Sequence, residues 1–153
     1  MSGKSQGEYI FLYGSLLTGT PDRRLNKLLK PQLRHARPAA IRARLYHVGR
    51  YPGAVASAVK TDRVYGRLLK IANPRLLRLL DRYEVCYIDN AGGSEFVRTD
   101  IQAQILPSLK LVNCWVYFYN RAIAGKRRII SGDYVKYTAL RRKKWRTAGP
   151  AES

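Results

Sequence analysis

Glu8-Tyr9-Ile10-Phe11-Leu12-Tyr13-Gly14-Ser15-Leu16-Leu17-Thr18-Gly19 is the stretch on which the fold turns. Tyr9 to Tyr13 is an apolar run of β-forming residues and predicts a short, buried strand. Gly14-Ser15 stops it abruptly, and Thr18-Gly19-Thr20-Pro21 separates that turn from a helical stretch, Asp22 to Lys30. A glycine directly after a buried strand marks a sharp bend or a close approach to the backbone. Two readings stay open from this stretch alone. One is a plain strand-to-turn transition; the other is a turn whose N–H groups at Gly14 and Ser15 face a cavity and receive oxygen atoms of a small ligand.

Composition bounds what such a site can belong to. A chain of 153 residues suits one domain with a real core. Hydrophobic residues at 46% and charged residues at 25% are ordinary for a soluble globular protein. No apolar run approaches the ~20 residues needed to cross a bilayer. The polar start, Met1 to Gly7, has no apolar segment behind a basic one, so the expectation is a cytoplasmic protein without membrane contact. Cys86 and Cys114 are too few for a disulfide scaffold or a cysteine-based metal cluster and read as inert, partly buried thiols. The net charge of +19, from 29 Lys and Arg against 10 Asp and Glu, makes nucleic acid a partner to weigh. A surface tuned for solubility gives the same composition.

Outward from the first strand, Asp22 to Lys30 has apolar residues three and four apart and reads as a short amphipathic helix ended by Pro31. Ile41 to Val48 alternates apolar with basic, a strand with one wet face, and Gly49-Arg50-Tyr51-Pro52-Gly53 is a turn cluster. Val64 to Ile71 is a strand in which Gly66 marks a bulge or a close backbone approach. Asn73 is an N-cap and Pro74 a first helical residue for the helix that follows. Arg75, Arg78 and Arg82 make its solvated face, whereas Leu77, Leu80 and Glu84, flanked by Leu76 and Tyr83, make the buried one. A carboxylate on that stripe is desolvated and lies at the negative end of the helix dipole, both of which raise its pKa. That poises Glu84 as a general base near neutral pH. A frayed helix end, with Glu84 in solvent or paired to Arg82, is the plainer alternative.

After the polar loop Asp89 to Ser94, a strand carries Val97, Thr99, Ile101, Ala103 and Ile105 on one face, and Leu111 to Tyr119 forms another, heavy in aromatics. Asn120 to Arg128 reads as a basic loop, and Ser131-Gly132-Asp133 opens a last helix with Tyr134, Tyr137 and Leu140 inward. The expected organisation is a disordered N-terminus over 1–8, one domain over 9–140 and a basic, flexible tail over 141–153. Strands outnumber helices and do not alternate with them, which predicts an α+β fold with a curled or closed sheet. There is no GxSxG, P-loop, HExxH or GxGxxG pattern. His35 and His47 have no ligating neighbours at metal spacing and read as structural or solvent-facing.

Tyr13-Gly14-Ser15-Leu16, Tyr51-Pro52-Gly53, Val64-Tyr65-Gly66-Arg67-Leu68, Leu80-Asp81-Arg82-Tyr83-Glu84 and Ser131-Gly132-Asp133-Tyr134 occur in an order that resembles the γ-glutamylcyclotransferase-like family, of the AIG2-like type. The resemblance runs from Tyr9 to about Tyr137. It implies a small, mostly antiparallel closed or curled β-barrel with two or three flanking helices. It also implies that Tyr13, Gly14, Ser15 and Leu16 hold the α-amino-acid end of a γ-glutamyl group, largely through backbone, and that Glu84 is the acid–base residue. The implied reaction is cyclisation of a γ-glutamyl amine, amino acid or peptide to 5-oxoproline with release of an amine, in a monomer, with no metal and no cofactor. Val85 departs from the family where many relatives carry glycine, and Phe96 where a tyrosine is common before Arg98; both bear on the leaving group. The competing expectation is a basic binding module of the same fold, for RNA or another polyanion, without turnover. On either reading Arg141 to Arg146, with Lys126, Arg127 and Arg128, is expected to give weak, non-specific polyanion affinity.

Overall fold

A strand that is apolar at every position must be covered on both sides, and that requirement organises the fold. The computed structural model describes residues 9–17, 22–84 and 94–148. In chain order it contains β1 (Tyr9–Leu12), α1 (Arg23–Arg34), β2 (Arg37–Ile41), β3 (Ala43–His47), β4 (Pro52–Ala56), β5 (Val64–Lys70), α2 (Pro74–Tyr83), β6 (Phe96–Ile105), β7 (Leu111–Tyr119), β8 (Arg127–Arg128) and α3 (Tyr134–Ala148). Strands β1-β5-β2-β6-β7 close into a barrel, and β4-β3-β8 form a second, three-stranded sheet. All pairings are antiparallel except β1 with β7, where Ile10 faces Trp115. This is the α+β, closed-barrel architecture with flanking helices expected from the sequence.

Alternation along β1 divides the core. Phe11 packs with Ile41, Val64, Leu68, Ile105, Cys114 and Val116 in one cluster. Ile10 and Leu12 join Leu25 and Leu29 of α1 and Leu76 and Leu80 of α2 in another. Both clusters are almost wholly removed from water, and at about 25 cal/mol per Å² of apolar surface their burial is the main force holding helices to barrel. Cys114 lies inside the first cluster, and burial pushes its thiol up to about 12. Cys86 falls outside the described residues, as do 1–8.

Several boundaries differ from the sequence expectation. Pro31 lies inside α1 rather than ending it. It is exposed and in the last turn, so the Lys27 carbonyl it leaves without a partner can turn to water. Residues 37–41 form β2, although Arg-Pro-Ala-Ala has little strand propensity; pairing with β5 on one side and β6 on the other overrides it. Arg42 bends the chain, so the strand expected over 41–48 begins at Ala43. Arg127 and Arg128 leave the expected loop to pair with His47 and Tyr46. Arg128 and Arg44 both reach Asp62, at 3.1 and 2.5 Å. Helix α3 runs to Ala148, past the domain end expected at 140. Most of residues 141–148 are the strong helix formers Arg, Lys and Ala, and there is no Gly or Pro among them. Among the described residues no helix is long and apolar enough to cross a membrane.

Gly66 is the close approach anticipated for β5. A Cβ there would stand 2.1 Å from the Leu12 carbonyl oxygen and 2.9 Å from Phe11 Cζ. Gly66→Ala should therefore force β1 off β5 and cost about 3 kcal/mol, at the upper end of overpacking effects. In a domain of this size that is a melting point roughly 10 °C lower. Thermal denaturation checks it, and a variant melting with the wild type would show that β1 can move without cost.

Candidate active site

Glu84 is placed by α2. The Asn73 side chain accepts the Arg75 N–H and Pro74 occupies the first turn, fixing where the helix starts. From there Leu76 and Leu80 are buried four residues apart, and Glu84 stands four further along the same row. Its N–H donates to the Leu80 carbonyl at 2.9 Å, so the last turn is formed rather than frayed. Arg75, Arg78 and Arg82 are exposed, as the spacing predicts, while Leu77 is only half-buried. The end of α2 is held to the barrel by side chains. Tyr117 Oη donates to Asp81 Oδ1 at 2.6 Å, and Arg98 Nε lies 3.2 Å from the same oxygen with its guanidinium 4.6 Å from the Trp115 ring centre.

The turn after β1 faces this helix end. Leu17 N–H closes on the Gly14 carbonyl at 3.0 Å, making a single 3₁₀ turn over Ser15–Leu17. A Cβ on Gly14 would meet Pro52 Cγ at 3.0 Å, so glycine lets the turn sit against the Tyr51-Pro52 corner. Tyr13, Gly14, Ser15, Leu16 and Glu84 then line one cavity of about 310 Å³, together with Tyr51, Pro52, Tyr83, Glu95, Phe96 and Tyr117. The five site residues expected from sequence are thus brought together. Tyr13 lines the cavity with its hydroxyl already engaged. Its hydroxyl donates to the Tyr117 carbonyl at 2.7 Å and accepts the Ala54 N–H at 3.0 Å.

Sequence reasoning missed Glu95. It follows a polar loop with no periodicity to mark it, and it reaches the cavity only because the β6–β7 pairing brings it there. The Asn120 N–H donates to its carbonyl at 2.7 Å. Its carboxylate accepts a short hydrogen bond from the Tyr51 hydroxyl, which pushes that phenol up to about 12. Burial, with repulsion from Glu95 added, raises the Glu84 carboxyl from 4.5 to about 7. Phe96, where the family comparison anticipated a tyrosine, is buried between Tyr51 and Tyr119 with ring centres 5.9 and 5.6 Å away. Val85 lies outside the described residues. Among the described residues no group of His, Cys, Asp and Glu could hold a metal ion.

A family model described as gamma-glutamyl cyclotransferase, AIG2-like, matches residues 10–136. An AIG2-like protein of Mus musculus is 25% identical, with 76% of this chain and 80% of that one covered at a TM-score of 0.53. The ytfP protein of Escherichia coli is 27% identical over 85% of this chain and 98% of its own, at 0.54. YkqA of Bacillus subtilis shares the fold at 16% identity and a TM-score of 0.63; 90% of this chain covers only 43% of that one. Among curated proteins none matches the sequence at a significant level.

The raised Glu84 carboxyl makes stability depend on pH. Below 4.5 folded and unfolded chains both hold the proton, so the group contributes nothing. Between 4.5 and about 7 the unfolded chain ionises first, and stability falls as pH rises. Above about 7 the full cost is present, about 3 kcal/mol. Glu84→Gln should abolish this fall, gaining on the wild type between pH 5 and pH 8. Urea denaturation at the two pH values measures it; parallel behaviour of the two proteins would place the carboxylate in solvent.

Proposed function

The chain belongs to the AIG2-like γ-glutamyl cyclotransferase family, and on that premise we propose that it converts a small γ-glutamyl amine, amino acid or peptide to 5-oxoproline and a free amine, with Glu84 as general base and then general acid. The observation that carries this reading is a carboxyl raised to about 7 at a helix end, facing the Gly14–Leu16 turn across one small cavity. Near neutral pH the substrate's α-amine is an ammonium ion and cannot attack. Glu84 removes one proton, and the freed lone pair adds to the γ-carbonyl carbon of the same molecule. The attacking nitrogen passes its remaining extra proton to solvent water as the tetrahedral oxyanion forms, and the carboxyl of Glu84 protonates the leaving nitrogen. The C–N bond then breaks, the carbonyl reforms and the five-membered ring is closed. A base whose pKa is near the working pH serves both steps.

Geometry supplies the rest. The substrate must fold back on itself, and a cavity of about 310 Å³ is small enough to favour that compact shape. The Tyr13–Leu16 turn holds the α-amino-acid end through backbone, with the α-carboxylate against the turn. Two carboxylates line the cavity, and no Lys or Arg appears among its described residues. Such a wall draws in an ammonium group and repels a leaving group that carries its own carboxylate. Simple γ-glutamyl amines are therefore the preferred substrates, ahead of glutathione-like peptides.

Glu84→Gln keeps the side chain's shape without its proton affinity, so release of 5-oxoproline should fall at least ~10²-fold while substrate binding changes little. Ser15→Ala should do less damage, since backbone makes the contacts there. In the wild type, turnover should rise with pH through about 7 as Glu84 loses its proton. Glu95→Gln should move that rise to lower pH by removing the repulsion. The assay is 5-oxoproline release from γ-glutamyl amines, γ-glutamyl amino acids and glutathione. A Glu84→Gln variant as fast as an active wild type would sink the mechanism.

A further inference from the structure

Helix α1 carries a feature that cyclisation does not use. Arg23, Lys27, Lys30 and Arg34 recur at i, i+4, i+7 and i+11, which is one face of the helix, and all are exposed. With Asn26 and Pro31 they rim a shallow groove of about 350 Å³. The helix contains no acidic residue, and the ion pairs among the described residues engage other cations, Arg44, Arg98 and Arg128. Asp22, at the N-cap, accepts the Leu25 N–H. Like charges one turn apart repel, and nothing within the helix relieves them. A stripe of this length runs ~16 Å at 1.5 Å per residue. Neighbouring cations are three or four residues, ~4.5–6 Å, apart along the axis, a spacing that successive phosphates of one strand can match.

We propose that this stripe is a docking face for a nucleic acid strand, each of its four cations meeting a phosphate. The stripe has no aromatic residue to stack on a base, so binding is independent of sequence. A membrane surface suits it less. An interfacial helix needs a free apolar face, and Leu25 and Leu29 are buried at 0% and 1% exposure. The basic cluster expected near the C-terminus offers less than its charge suggests: Arg128 is paired with Asp62, and the Arg141 guanidinium lies 5.6 Å over the Tyr137 ring. This inference stands independently of the cyclotransferase reading.

The test separates position from bulk charge. One variant carries Arg23→Gln, Lys27→Gln, Lys30→Gln and Arg34→Gln. Its control carries Arg42→Gln, Arg50→Gln, Lys60→Gln and Lys110→Gln, all exposed and elsewhere on the chain. Each loses the same charge. Anisotropy of a fluorescein-labelled, mixed-sequence single-stranded RNA is followed across a salt series. For the stripe variant the slope of log K against log salt should be shallower by about 3, at ~0.7 per phosphate contact; for the control it should change by less than about 1. Gln keeps helix propensity close to that of Lys and Arg. Should circular dichroism nevertheless show lost helix, Lys27→Gln with Lys30→Gln should give about half the change. Equal effects from variant and control, or no RNA binding by the wild type at low salt, would overturn the proposal. So would a stripe variant that keeps RNA but loses phosphatidylserine vesicles.

Discussion

The hydroxyl of Tyr13 joins the two sheets: it donates to the Tyr117 carbonyl of β7 and accepts the Ala54 N–H of β4. Both partners are backbone groups, and any of the three left alone in the interior would cost about 1–3 kcal/mol. Burial raises the phenol's pKa further, so the donor keeps its proton across any working pH. Gly53, next to Ala54, brings β4 so near β7 that an added Cβ would lie 2.9 Å from the Tyr119 side chain. The cavity wall is built from the same contacts. Its turn starts one residue after Tyr13, and Gly14 rests on Pro52, the first residue of β4. Displacing the joint would therefore move the wall as well as the sheets.

The opposite wall is held by a different device. Asp81 is three residues before Glu84, and it is tied to Tyr117 and Arg98. Tyr117 thus serves both sides, its carbonyl taking the Tyr13 proton and its hydroxyl giving one to Asp81. The β7 strand carries the link between the turn after β1 and the end of α2, 68 residues apart in sequence (84 minus 16). The Arg98 guanidinium is engaged by Asp81 and by the face of Trp115.

What the sequence made legible was whatever one element dictates by itself. The apolar run of β1 and the N-cap at Asn73 depend only on local pattern and appear as expected, while the row leading to Glu84 runs through Leu76 and Leu80, one position round from the Leu77 the spacing favoured. Gly66 was legible as a close approach because strand interiors rarely tolerate glycine without one. What could not be read depends on partners far along the chain. Strand β2 has a sequence that argues against a strand, and it exists because β5 and β6 flank it. Glu95 and Tyr51 meet 44 residues apart, and although Tyr51 sits in a turn motif, nothing around Glu95 marks it as its partner. Tyr13 was read as part of the binding turn, whereas its polar atom serves the architecture. Pro31 and the end of α3 show a third limit, since helix ends are decided by small differences that packing can reverse.

The same division of scales governs the charge. A chain of net charge +19 should, by its overall field, lower the pKa of every carboxyl it contains. Glu84 goes the other way, to about 7. Surface cations act through water and salt, and beyond the ~8 Å screening length at physiological ionic strength little of their field survives. Desolvation and the Glu95 carboxylate act inside that length, so they win.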